Sequence, residues 1–165
     1  ADRQDTGAAP FEKALWDQGF SHDLCYGRRN SRKDQAIVAL ARSGNPSLAP
    51  VLVDLLRALP DDPAFSHLRA AALYLDAVPV AGAAPELARI LAAIKGHAMR
   101  VEAASYPGLP PKAKRGAPVK ELLVARALHK LGDRDGLAKA VLESYQGDPR
   151  KIFADYAKRV LETND

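Results

Sequence analysis

The chain predicts an all-α fold: an α-solenoid, a helical-repeat array of about three antiparallel helix pairs with capping helices, or a compact bundle of the same pairs. Three observations carry this. An apolar helix, a break and a second helix with leucine at a fixed place recur at Gln35–Leu56, His67–Ile94 and Leu122–Tyr145. The twelve prolines and eleven glycines cluster between these periodic segments, where breaks belong. Alanine and leucine, both strong helix formers, dominate within them. One helix pair cannot bury its apolar face alone, so repetition at this scale implies stacking on the next pair.

The elements follow in order. Residues 1–9 read as a disordered tail before a single domain, 10–165. Pro10 suits a first helical position, and Phe11, Leu15, Trp16 and Phe20 recur at helical spacing. These aromatics should cover the open end of the first pair, since solenoid ends need atypical caps. Ser21-His22-Asp23-Leu24 starts a second brief helix that dies at Gly27. Ser31 with Asp34 approximates a capping box, and the helix it opens stops at Gly44. Asn45-Pro46 reads as an N-cap followed by a first-position proline, restarting the chain into a helix that runs to Leu59.

Pro60-Asp-Asp-Pro63 is the turn between repeats. The next first helix spans 64–77 on Leu68, Ala71, Ala72 and Leu75, and Val78-Pro79 stops it, because the residue before proline avoids the α region. Pro85 opens its partner, which reaches Ala104 unless Gly96 ends or kinks it. Residues 105–118 hold four prolines and two glycines and are expected to form an irregular loop, long for a compact domain. The final pair occupies 119–146. Asp148-Pro149 then opens a last helix to Glu162 with Ile152, Phe153, Tyr156 and Val160 inward and Lys151, Lys158 and Arg159 outward.

Composition narrows the function. With 165 residues the chain can bury roughly two thirds of its unfolded surface. No run approaches the ~18 apolar residues of a membrane span. The formal charge is +4, but acids and bases alternate, as in Lys33-Asp34, whereas nucleic-acid domains gather bases on one face. A single cysteine, Cys25, excludes an internal disulfide and a multi-cysteine zinc site. The polar, Gly/Ala-rich opening Ala1–Pro10 resembles the stretch behind a removed export signal, and a linker from an upstream domain would look alike. The expectation is a periplasmic or secreted protein, with a cytoplasmic one as the alternative.

Ala127-Leu-His-Lys-Leu-Gly-Asp-Arg-Asp-Gly-Leu-Ala138 resembles the inter-helix junction of HEAT-type repeats, including lyase-type HEAT repeats. There an Ala-Leu ending, Gly-Asp and a following Leu join two helices. Arg69-Ala-Ala-Ala-Leu73 is similar to the Arg-Ala-Ala start of such a repeat, and Asp148-Pro149 sits where Asp-Pro often occurs. The resemblance spans roughly residues 32–162. The middle copy departs from it, with Asp76-Ala-Val-Pro79 in place of Gly-Asp. Leu48, Leu87 and Leu137 lie 39 and then 50 residues apart, the longer interval holding the proline-rich segment. The stretch Leu122–Leu161 also resembles helical modules found beside enzymatic domains in exported bacterial proteins.

Candidate sites weigh toward binding. His22, Asp23 and Cys25 offer imidazole, carboxylate and thiol within four residues, but catalytic Cys and His usually meet through the fold, so Cys25 reads as a small buried hydrophobe. His22, His67, His97 and His129 form no ligand pattern, so no metal and no cofactor is expected. Asp62, Asp133 and Asp135 fit helix N-caps better than acid–base pairs. The basic excesses are Arg28 and Arg29 with Arg32 and Lys33, and Lys112, Lys114 and Arg115 in the expected loop. With Tyr106, an aromatic of the type enriched at interfaces, Arg28, Arg29, Lys112, Lys114 and Arg115 form the expected partner-binding set.

The expected function is a non-catalytic protein-interaction module, binding another, acidic protein through its concave face or the proline-rich segment. Two alternatives share the same scaffold: an exported immunity-type inhibitor that blocks a toxin or enzyme, and an accessory helical domain of a larger exported enzyme.

Overall fold

The computed structural model of the protein describes residues 23–25, 28–30, 39, 42–98 and 112–163. A small ribbon precedes an all-helical body. In the ribbon, β1 (Asp23–Cys25) pairs antiparallel with β2 (Arg28–Asn30), Leu24 standing opposite Arg29. This corrects the brief helix expected from Ser21, and Cys25 lies on a strand instead. Only Tyr26 and Gly27 separate the paired residues Cys25 and Arg28, and glycine in so short a connection suits a hairpin. The tail, the aromatic segment Phe11–Phe20 and the capping box at Ser31 lie outside the described residues.

The helix reaching Ser43 stops at Gly44, whose φ of +54° is the left-handed conformation glycine adopts without strain. Asn45 then caps the next start: its side-chain oxygen accepts from the Ser47 amide at 3.0 Å, and Pro46 supplies the fixed φ of a first position. A 3-10 turn, Pro46–Leu48, runs directly into α1 (Ala49–Ala58). Helix α2 (Phe65–Ala77) ends at Val78, held extended at φ −132° and ψ 93° ahead of Pro79. A second 3-10 turn, Ala81–Ala83, leads into α3 (Ala84–Ile94). Of the two endings open in the sequence, the earlier is observed: α3 stops just before Gly96.

Helix α4 (Lys112–Lys130) corrects the expected loop over 105–118 in its second part. Lys112–Arg115 is a run of good helix formers, and Pro118 sits inside the helix, where it removes one backbone hydrogen bond but buries its ring. Residues 105–111 lie outside the described residues. Helix α5 (Leu137–Tyr145) and α6 (Lys151–Glu162) complete the fold.

Consecutive helices pack in sequence from α3 onward, α3 on α4, α4 on α5 and α5 on α6. Contacts also skip one helix: α1 with α3, α3 with α5, α2 with α4 and α4 with α6. The skipping neighbours run parallel where side chains mark the register. Arg57 meets Glu86, and a Cβ added to Gly82 would stand 3.6 Å from Val53, so both helices advance together. Lys120 reaches Asp62 and Arg126 reaches Asp76 in the same sense.

The core lies between these rows. It includes Leu52, Leu55 and Leu56 from α1, Leu68, Tyr74 and Leu75 from α2, and Leu87, Ile90 and Leu91 from α3. Leu122 and Leu128 from α4, Leu142 and Tyr145 from α5, and Ala157 and Val160 from α6 close it. The last helix departs from expectation. Its buried face is Ala154, Ala157 and Val160, Phe153 and Tyr156 are half-buried, and Ile152 is 72% exposed. The helix starts at Lys151, which places Ile152 on its outer first turn.

Leu128 is 3% exposed within this core, and its neighbour His129 is half-buried at the surface. Leu128→Ala should cost about 2–5 kcal/mol through lost burial and a residual cavity. His129→Ala should cost under about 1 kcal/mol. Urea-unfolding midpoints of the two variants are expected to separate clearly, and equal losses would overturn the assignment of the α4 faces.

Candidate functional site

Glu121 is the most buried charged residue among those described, at 1% exposure. The helical phase puts it there: Pro118, Glu121, Leu122, Ala125 and Leu128 fall on one stripe of α4, all buried. Its carboxylate accepts from the Gly96 and His97 amides, each at 2.9 Å, and from the Tyr145 hydroxyl at 2.8 Å. Gly96 can offer its amide because φ is +109°, a backbone glycine tolerates. Burial, and then the charge and hydrogen bond of Glu121, push the Tyr145 phenol far above its ordinary range, so it stays a donor.

The same turn is gripped from the other side. Arg150 donates to the His97 carbonyl at 2.8 Å while its fork holds Asp148 at 2.8 and 2.7 Å. The Asp148 side chain is fully enclosed, and its hydrogen bond raises the Arg150 pKa most. Arg150 also lies 4.8 Å from the Phe153 ring centre, and Phe153 meets Tyr145 edge to face at 6.3 Å. The turn after α3 is therefore tied to α4, α5 and the start of α6.

Two further ties join skipping neighbours. Asp76 on α2 accepts from Arg126 at 2.7 and 2.6 Å and from Lys130 at 2.9 Å, both on α4. Partial burial works to raise the Asp76 pKa, but the hydrogen bonds from Lys130 and Arg126 and their charges prevail and hold it below the ordinary carboxylate range. Arg89 on α3 donates to the Leu56 and Leu59 carbonyls at 3.2 and 3.0 Å, closing the C-terminal end of α1, and pairs with Asp61 at 2.6 Å. Asp61 and Asp62 thus make ion pairs, Asp62 with Lys120, and α2 begins at Phe65 without a side-chain cap. This corrects the N-cap assigned to Asp62: it is engaged by Lys120, and Ala64 stands in the capping position. Neither Asp133 nor Asp135 is the N-cap of α5, which is Gly136; Asp133 reaches past it to cap the first-turn amide of Lys139 at 2.8 Å.

A cleft of about 450 Å³ lies over that cap, lined by His129, Lys130, Gly132, Asp133, Gly136 and Lys139. The expected partner-binding residues are distributed elsewhere. Arg28 and Arg29 belong to β2, Lys112, Lys114 and Arg115 to the first turns of α4 rather than to a loop, and Tyr106 lies outside the described residues. Among the described residues no three His, Cys, Asp or Glu side chains gather as a metal would require. No described helix is long and apolar enough to cross a membrane. Comparison of the chain with known family patterns, with curated proteins and with solved structures returned no match.

Sequence reasoning missed the Glu121 centre. A lone acid on the apolar stripe of α4 was the available signal, since a carboxylate there must find buried donors.

Glu121→Ala should cost about 1–3 kcal/mol, because it leaves the buried Tyr145 phenol and two part-buried amides without their acceptor. Tyr145→Phe removes one donor and should cost about 1–2 kcal/mol. Amide exchange provides the sharper check: Gly96 and His97 should be protected in the parent and exchange rapidly in Glu121→Ala. Unchanged protection would show that the carboxylate does not hold the turn.

For Asp76 the lowered folded pKa fixes the sign of the pH dependence. Its contribution is full above the unfolded value of about 3.9 and is lost as pH falls through the folded value. Because the group is partly exposed, the contribution is about 1 kcal/mol or less. The stability gap between the parent and Asp76→Asn should be constant from pH 7 to about 5 and close below about 4. A gap that instead widened in acid would reverse the assignment.

Proposed function

We propose that the protein is a HEAT-type helical-repeat module that binds another protein without catalysing a reaction, using the outer face of α1, α3 and α5. The observation that carries this reading is the skipping contact pattern. α1–α3–α5 and α2–α4–α6 form two rows, with parallel helices wherever their register is marked. Two rows that grow by adding a helix to each are how a solenoid extends, and solenoids present long surfaces suited to partners.

The choice of row rests on what each exposes. The α2–α4–α6 side exposes the larger apolar residues Phe65, Leu73 and Ile152, but its outward charges are engaged with one another across the helices, as Asp76 is with Arg126 and Lys130. On the other side α3 and α5 expose Ala92, Ala93 and Ala140 beside Lys139 and Glu143. Small side chains there let a partner approach the helix backbones, with charges of both signs at the margin to set register. The Asp54–Arg57–Glu86 pairs continue this margin along α1.

A photo-crosslinking residue placed in turn at Ala92 and Ala140, in the cells that make the protein, tests this. Controls at Ser66 and Asp155 mark the opposite row. A single adduct of one mass is expected at Ala92 and Ala140 and not at the controls. Adducts at the controls alone would move the surface to the other row, and their absence at all four positions would overturn the binding role.

A further inference from the structure

We draw no further inference here: the strongest candidate, the open cleft between the end of α4 and the start of α5, carries nothing, because Asp76 and Glu143 already face its lysines, Asp133 caps its helix terminus, and nothing in the structure shows what would fill it.

Discussion

A carboxylate with no access to water must be given donors by the protein, and Glu121 imposes that demand at the point where four elements meet. Leaving it unpaired would cost several kcal/mol. The turn after α3 therefore has to deliver two amides, and α5 has to bring Tyr145 within reach. Each requirement constrains something else. Gly96 must take a positive φ, α3 must end at Ile94, and Tyr145 must be the last residue of α5. Arg150 and Asp148 repeat the logic from outside, fixing the carbonyl of the same turn. Apolar packing alone would let the helices slide by small amounts at little cost. A satisfied buried polar centre permits one arrangement, which is the kind of specificity such groups can supply.

The ties farther out differ in strength and purpose. Asp76, Arg126 and Lys130 are partly exposed, so water screens them and each pair contributes little. Their geometry still matters, because one Arg126 nitrogen reaches both Asp76 oxygens while Lys130 reaches one of them, which favours one register of α2 against α4. Arg89 does more than pair with acids. It satisfies two carbonyls at the end of α1, which that helix cannot satisfy itself. The core between the rows carries the stability, and the rim charges choose how the rows align.

How much of this was legible in the sequence depends on the range of the physics involved. Local rules read well. Gly44, Asn45-Pro46 and Val78-Pro79 mark stops and starts through backbone geometry that belongs to the residues themselves, and α1 to α3 begin or end accordingly. The all-α class was legible for the same reason. The start of α4 was misread because proline was taken as a veto, whereas Pro118 inside α4 costs one hydrogen bond that a long, well-packed helix can absorb. Ile152 was misread because its place depends on where α6 starts relative to α5. The ribbon was misread because three paired residues leave almost no periodicity. Asp61 and Asp62 have partners 28 and 58 residues away, beyond any local rule. Of the candidate binding residues, the basic clusters were legible as clusters, but their placement on β2 and α4 was not.

The distribution of charge bears on the proposed binding role. Here Glu121, Asp148 and Asp76 have their strongest interactions with this chain's own backbone, tyrosine and arginines. Meeting those demands internally fixes the register of the helices they join. On α3 and α5 the outer faces are short side chains edged by charge, which suits the proposed contact with a partner. On the proposed reading, the constraint at Glu121 also bears on binding: it orders α3 and α5 from the inside, so a partner that met their outer side would not bear the cost of ordering it.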